Sequence, residues 1–202
     1  MTKPRLYYVV GASGVGKDSV LRYARARLDD RVPVVFAHRY ITRPADALNE
    51  NHIALSESEF ALRKRAGAFV MEWMNDGFHY GIGTEIHYWL ATGLSVVVNG
   101  SRSYLATALD AYADMIILWI TASSDIVAGR LARRGREDAL GIEERLRHHQ
   151  PPAIPIRPHG SVIHLNNNGP LAVAGDALIG LLTEQAAAAP SALCVPRAAR
   201  KS

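Results

Sequence analysis

A glycine-rich stretch, GASGVGKDSV at residues 11–20, has the residue types that bind phosphate. In the spacing Gly11-x4-Gly16-Lys17, backbone N–H groups can surround an anion while the lysine reaches the β- and γ-phosphates of a nucleotide. A glycine-rich turn without a ligand is the alternative. The residues predicted to bind ATP here are Gly11, Ala12, Ser13, Gly14, Val15, Gly16, Lys17, Asp18 and Ser19.

Asp18 stands where this pattern usually has Ser or Thr, whose hydroxyl binds Mg²⁺. A carboxylate is a harder and stronger ligand for this ion, and negative charge is favoured in the first turn of a helix. We therefore predict that Asp18 holds the Mg²⁺ that accompanies ATP, directly or through water. A helix-capping aspartate is the alternative.

Such a loop needs a strand before it and a helix after it. The apolar run at 5–10 predicts a buried strand, and residues 17–28 have an apolar helical face. Further strands are predicted at 32–40, 68–73, 78–83, 94–100, 114–120 and 161–165, and helices at 56–68, 84–93, 101–112, 123–135 and 170–188, with residues 41–56 irregular. This alternation predicts an α/β fold with three layers and a mainly parallel sheet.

The bulk composition predicts one domain over residues 1–188 of the 202 present, followed by a flexible tail at 189–202. The net charge of +4 suits an enzyme for anionic phosphates, and no nucleic-acid-binding motif accompanies it. No apolar run is long enough to span a membrane, and no signal peptide is recognised. The single cysteine, Cys194, rules out an internal disulfide and suits the cytoplasm.

Beyond the loop, the chain from about residue 5 to 185 resembles the guanylate kinase family. The matching stretches are GASGVGK, ITRP (41–44), LSESEF (55–60), FVMEW (69–73), HYGIG (79–83), RLARRGRED (130–138), IEERL (142–146) and HLNNN (164–168). The resemblance implies a P-loop NTPase fold with an acceptor-binding lobe inserted at 41–83 and a lid at 133–147.

The resemblance also implies roles for single residues. Arg43 and Tyr80 match groups that bind the acceptor phosphate, and Glu72 matches a group that reads guanine. Arg134 of the lid and Arg145 match arginines that act with Lys17 on the transferred phosphoryl group, so these three are the predicted catalytic residues. Asn166 or Asn167 falls where an asparagine contacts adenine. For Arg130, Arg133 and Arg136, lid ligands and a solvated helix face both stay open.

Several positions depart from the guanylate kinase pattern. The positions concerned are Asp46, where the family has a second arginine, His52, where it has a tyrosine, Ile82, where it has Ser or Thr, and Asn99, Ser101 and Arg102, where it has acids. A site that reads guanine would leave polar groups unpaired without these partners. The stretches GKDS, RYITRP, HIALSE, HYGIG and VNGSR instead resemble the ribose 1,5-bisphosphate phosphokinases.

That narrower resemblance implies ATP-dependent phosphorylation of ribose 1,5-bisphosphate in phosphonate degradation. The acceptor has two phosphates and no base, which fits the basic residues Arg39 and Arg102, although each could be a surface charge. The predicted substrate-binding residues are Arg39, Arg43, His52, Glu72, Tyr80 and Arg102. Asp18 is further hypothesised to replace the carboxylate missing near Asn99.

The expected partners are ATP with Mg²⁺ and a phosphorylated ribose, without nucleic acid or membrane, and a homodimer is left open. Three alternatives also stay open. They are a guanylate or other nucleoside-monophosphate kinase, a kinase for another phosphorylated sugar, and a non-catalytic binding module of the same fold.

Overall fold

The computed structural model describes residues 3–44, 51–134 and 161–187, in which strands and helices alternate. The strands are β1 (Leu6–Val10), β2 (Val34–Phe36), β3 (Arg39–Ile41), β4 (His52–Ala54), β5 (Phe69–Asn75), β6 (Phe78–Gly83), β7 (Ser95–Asn99), β8 (Ile116–Thr121) and β9 (Ser161–Asn166). The helices are α1 (Lys17–Arg27), α2 (Glu57–Arg65), α3 (Glu85–Ala91), α4 (Leu105–Ala111), α5 (Ser124–Arg134) and α6 (Leu171–Ala187).

The strand that precedes the phosphate loop lies in the middle of a parallel sheet of order β2-β7-β1-β8-β9. Its side chains alternate between two cores. Tyr7 and Val9 pack on the side of α1, α5 and α6, whereas Tyr8 and Val10 pack on the side of α3 and α4. Helices therefore cover both faces of the sheet, which confirms the predicted three-layer α/β fold.

A second, smaller sheet of order β4-β3-β6-β5 lies between β2 and α3 in the chain. Its β5–β6 hairpin closes through Asp76 (φ 48°) and Gly77 (φ 77°), residue types that favour a tight turn. Helix α2 begins after Ser56, whose hydroxyl accepts a hydrogen bond from the Glu59 N–H at 3.1 Å. The ring of Phe60 on α2 stacks on Phe69 of β5 at 4.6 Å, so α2 covers one face of this sheet.

Two predictions about elements are wrong. The strand predicted over 32–40 is two strands in different sheets, because β2 pairs with β7 and β3 pairs with β4 and β6. The segment 41–56, predicted to be irregular, contains β4. An apolar run shows that a strand is favoured, but the sheet it joins depends on partners far along the chain.

Some predictions fall outside the described residues. They concern Asp46, Arg136, Arg145, the part of the lid beyond Arg134 and the tail at 189–202. Arg134 is described only as the last residue of α5. Among the helices of the described segments, none combines the length and apolar character needed to cross a bilayer.

Candidate active site

The phosphate loop joins the carboxyl end of β1 to the start of α1. Gly16 has φ 94°, a left-handed conformation that favours glycine, and α1 begins at the next residue. The Lys17 ammonium donates to the carbonyls of Gly11 (2.7 Å) and Ala12 (3.1 Å), which holds it across the loop. A β-carbon on Gly11 would stand 2.4 Å from the Ile120 carbonyl oxygen, so the first residue of the loop packs closely against β8.

The outer side of this loop is held by residues from α5 and from the end of β9. Asn167, which is 2% exposed, donates its Nδ2 to the Val15 carbonyl at 2.7 Å. Arg130 donates to the same carbonyl at 3.1 Å and to the Asn167 carbonyl at 2.8 Å. Asn166 is exposed, and its Oδ1 accepts from the N–H of Asn168. The adenine contact predicted for Asn166 or Asn167 stays a prediction.

Asp18 lies at the start of α1 and accepts two hydrogen bonds on Oδ1. Arg39 donates at 2.8 Å and Asn99 donates at 2.7 Å. The carboxylate fixes the Asn99 amide with its NH₂ toward Asp18, because a flipped amide would place two oxygens together. Asn99 Oδ1 is consequently buried without a hydrogen-bond partner among the described residues. The three side chains join the phosphate loop to the second sheet.

The donor set at Asp18 is compatible with a divalent metal. No group of three or more His, Cys, Asp or Glu that could hold a metal occurs within 3–44, 51–134 and 161–187. An ion beside Asp18 would therefore take most of its ligands from phosphates and water, which is how Mg²⁺ is usually bound next to nucleotides. Arg39 and Asn99 both donate to Oδ1 of Asp18, and the buried Asn99 Oδ1 has no partner within the described segments, so Asp18 Oδ2 and a metal-bound water could complete the site. The predicted metal role of Asp18 stays a prediction.

One face of the second sheet, here called the acceptor face, carries three of the predicted substrate-binding residues. Ile41 pairs with Tyr80 and Tyr80 pairs with Trp73 across antiparallel strands, so these side chains share a face. Arg39 lies on the same face two residues before Ile41, and His52 pairs with Arg39. The Arg39 guanidinium carbon is 5.9 Å from the centre of the Tyr80 ring.

Aromatic rings also pack against one another on this face. The Trp73 ring stacks on Tyr80 with centres 5.5 Å apart and planes at 8°. Tyr104, which precedes α4, lies 5.9 Å from Trp73. Tyr80 is therefore held in one orientation. Strand alternation across the β5–β6 hairpin could have found Trp73, whereas Tyr104 lies outside this sheet and has no such signal.

Glu72 does not lie with the other predicted substrate-binding residues. It pairs with Gly81, which places it on the opposite face of the sheet, under α2. There it forms an ion pair of 2.7 Å with Lys64 of α2. Ile82 is fully buried in the core beside Met71 and Ile86. The structure thus does not bring Glu72 together with Tyr80 and Arg39.

Arg43 and Arg102, two further predicted substrate-binding residues, follow the ends of β3 and β7. The Arg43 guanidinium carbon lies 5.9 Å from the Phe78 ring. Arg102 is half-buried after β7, and burial lowers the pKa of its guanidinium.

The turn after β7 is fixed by a buried tyrosine. The Tyr8 hydroxyl donates to the Ser101 carbonyl and accepts from the Ser101 N–H, each at 3.0 Å. Burial raises the pKa of this phenol far above its ordinary value, so it stays neutral. A β-carbon on Gly100 would stand 2.1 Å from the Tyr8 ring. This packing sets where Asn99 meets Asp18.

Sequence reasoning left the role of Arg130 open, and the structure places it on the loop rather than in solvent. No local signal could have shown this, because Arg130 and Val15 are 115 residues apart. Arg134 lies one turn further along α5, at its last residue.

Comparisons with known proteins agree with this arrangement. No family model matches the chain. The curated ribose 1,5-bisphosphate phosphokinase PhnN of Desulfomicrobium baculatum is 50% identical over 180 residues, which cover 89% of this chain and 95% of that protein. The PhnN protein of Chromobacterium violaceum is 49% identical over 174 residues, covering 86% of this chain and 91% of that protein.

The structural comparison confirms the predicted fold. The crystal structure of guanylate kinase from Anaplasma phagocytophilum matches with a TM-score of 0.63 at 13% identity, covering 92% of this chain and 87% of that one. At this identity the likeness shows the fold alone, a guanylate-kinase-like P-loop fold. With the sequence relatives, it confirms both resemblances drawn from the motifs: the chain belongs to the ribose 1,5-bisphosphate phosphokinase PhnN family.

Proposed function

We propose that this protein transfers the γ-phosphoryl group of ATP to the 1-phosphate of ribose 1,5-bisphosphate. The product is 5-phospho-α-D-ribose 1-diphosphate (PRPP), formed as a step of phosphonate degradation. The names of the relatives at 49–50% identity support this activity. The absence of a nucleic-acid partner, a homodimeric state and a cytoplasmic location stay predictions from the sequence.

The observation that carries the proposal is the position of Arg39. Its side chain is 11% exposed, is held by Asp18 at the start of α1, and lies on the same face as His52 and Tyr80. A guanidinium matches the geometry of a phosphate, and here it stands between the phosphate loop and the acceptor face. We expect the attacking phosphate of an acceptor to meet the γ-phosphate of ATP at this position.

The acceptor face also suits a substrate without a base. Glu72, which matches the guanine-reading glutamate of guanylate kinases, lies on the other face and is paired with Lys64. Ile82 offers no hydrogen bond and is fully buried. A guanine in this cleft would leave polar edges unpaired, which is costly in a site that excludes water.

The reaction asks for alignment and charge neutralisation more than for covalent chemistry. An oxygen of the acceptor 1-phosphate attacks the γ-phosphorus in line, a new P–O bond forms, and the bond to the β,γ-bridging oxygen breaks with its electrons leaving on ADP. We expect Lys17 to exchange the carbonyls of Gly11 and Ala12 for β- and γ-phosphate oxygens. The resemblance assigns Arg134 and Arg145 to the transferred group. No general base is required, because the nucleophile is already a phosphate oxygen.

A divalent metal, proposed to be Mg²⁺, would neutralise phosphate charge when bound with ATP. Asp18 would hold it, directly or through a water. Arg39 and Asn99 fix the orientation of that carboxylate, whatever its contact with the ion.

The experiment is a coupled assay of ADP release with ATP and Mg²⁺, comparing ribose 1,5-bisphosphate with GMP and with other phosphorylated sugars. Phosphorus NMR of the product would identify a diphosphate on carbon 1. Lys17→Met is the control for site-specific turnover and is expected to lower the rate by a factor of about 10² or more.

Each outcome of this assay supports one of the candidate functions. PRPP formation with little GMP turnover supports the proposal. Efficient turnover of GMP, or of another sugar phosphate in preference, would replace it with one of the neighbouring kinase activities. No ADP release with any acceptor would favour a binding module.

A further inference from the structure

The Val15–Gly16 peptide of the phosphate loop is held from outside by two side chains. The Val15 carbonyl accepts from Asn167 Nδ2 at 2.7 Å and from Arg130 Nη1 at 3.1 Å. Arg130 Nη2 also donates to the Asn167 carbonyl at 2.8 Å, which closes a ring of contacts between the loop, α5 and the end of β9. We name Asn167 and Arg130 the loop clamp.

The loop clamp fixes the direction of the Gly16 N–H through the geometry of the Val15–Gly16 peptide. The peptide bond is planar, and no cis peptide occurs among the described residues, so the Val15 carbonyl and the Gly16 N–H point in opposite directions. With the oxygen bound on the outer side, the Gly16 N–H must point inward. That is the direction in which a phosphate-binding loop needs its N–H groups.

Without a clamp, this peptide could turn over. Gly16 has φ 94° and no side chain, and glycine accepts positive and negative φ about equally, so its own backbone does not fix the orientation. The clamp packs directly on it, since a β-carbon at Gly16 would stand 2.6 Å from Asn167 Nδ2.

The Asn167 amide is dedicated to this contact. Its NH₂ faces the Val15 carbonyl, while its Oδ1 is buried without a hydrogen-bond partner among the described residues. A flipped amide would bring two oxygens together, so the orientation follows from Val15.

We propose that Asn167 and Arg130 are positioning residues that turn the Gly16 N–H toward the polyphosphate of ATP, and that Asn167 acts through the loop rather than on the base. The inference rests on ATP as the phosphoryl donor, which belongs to the proposed function, but not on the identity of the acceptor. Removing the clamp should weaken binding of the phosphate chain itself.

The test compares two probes by calorimetry, MgATP and inorganic tripolyphosphate with Mg²⁺, which has the phosphates but no adenine. Asn167→Ala is expected to weaken both by the same factor, about 10- to 100-fold, the value of one hydrogen bond to a charged group. Arg130→Lys keeps a cation but loses the forked contact, and should weaken both by a smaller common factor. Asn168→Ala is the matched control, because its Oδ1 accepts from the Ser123 N–H and does not touch the loop.

The outcomes separate the explanations. If Asn167→Ala weakens MgATP but leaves tripolyphosphate unchanged, Asn167 contacts adenine and the inference is overturned. Unchanged affinity for both probes in the folded variants would also overturn it, leaving the clamp a purely structural contact. If wild-type protein binds neither probe, the proposed function fails instead. Should Asn167→Ala not fold, Arg130→Lys alone decides, with equal weakening of both probes supporting the clamp.

Discussion

The ion pair between Asp18 and Arg39 joins the first turn after the phosphate loop to the acceptor face, and a double-mutant cycle can measure it. The variants are Asp18→Asn, Arg39→Met and the double variant. Asp18→Asn keeps the shape and an oxygen for the donors, so it removes the charge alone. Arg39→Met keeps an apolar stem and removes the guanidinium.

The expected size follows from the exposure of the two side chains. Nη2 and Oδ1 are 2.8 Å apart, and the side chains are 11% and 32% exposed for Arg39 and Asp18. Exposed pairs contribute about 0.2–1 kcal/mol, whereas removing one partner of a fully buried pair costs about 3–5 kcal/mol. Because water reaches Asp18, we expect a coupling free energy of about 1–2 kcal/mol in unfolding.

The assay is urea unfolding of the four proteins, followed by tryptophan fluorescence. The matched control is the pair Lys3–Asp114, which has the similar distance of 2.9 Å but is 72% and 62% exposed. Its cycle, with Lys3→Met and Asp114→Asn, should give less than about 0.5 kcal/mol. Additive losses at Asp18 and Arg39, or a coupling no larger than in the control, would refute the reasoning that this contact is formed and shielded.

Four further predictions concern the site and its support. Glu72→Gln should change the KM for the acceptor by less than about a factor of two, since the side chain is paired with Lys64 on the far face, and a tenfold rise would contradict this placement. Gly100→Ala should lower the free energy of unfolding by about 1–3 kcal/mol, because the added β-carbon would stand 2.1 Å from the Tyr8 ring. An unchanged urea midpoint would contradict this prediction. In Gly180→Ala the added β-carbon on α6 would meet no atom within 4 Å, so this substitution should raise the free energy of unfolding by about 0.5–1 kcal/mol in the same assay. Chelation with EDTA should abolish ADP release and added Mg²⁺ should restore it, whereas turnover that survives chelation would exclude a metal requirement.

Much of the fold could be predicted because local chemistry decides it. The helix predicted from residue 56 begins after the cap at Ser56, and the strands predicted at 68–73 and 78–83 form a hairpin that turns at Asp76-Gly77, since caps and tight turns depend on a few adjacent residues. The break between β2 and β3 could not be predicted. The Ala37 N–H donates a hydrogen bond to the Val97 carbonyl of β7, whereas the Arg39 N–H donates to the Asn51 carbonyl in the second sheet. Both acceptors lie outside the apolar segment 32–40, so the segment itself does not show where the strand breaks.

The candidate site was predictable in its residue types and not in its pairings. The glycines and Lys17 identified the phosphate loop by spacing alone. The contact of Asp18 with Arg39 depends on how the second sheet docks, which no spacing encodes. The face of Glu72 depends on strand register, and a shift of one residue exchanges every side chain between the two faces.

The central position of β1 has a consequence for how the chain is made. Tyr7 pairs with Val97 on one side and with Ile116 on the other, so both strands that pair with β1 are synthesised long after it. The second sheet, in contrast, needs only residues 39–83. Until β7 and β8 have been synthesised, β1 is an apolar strand with two unpaired edges. The nascent chain is prone to incorrect strand pairing during this time. Because Gly11 lies against the Ile120 carbonyl of β8, the phosphate loop can take its final shape only after β1 has paired with β8.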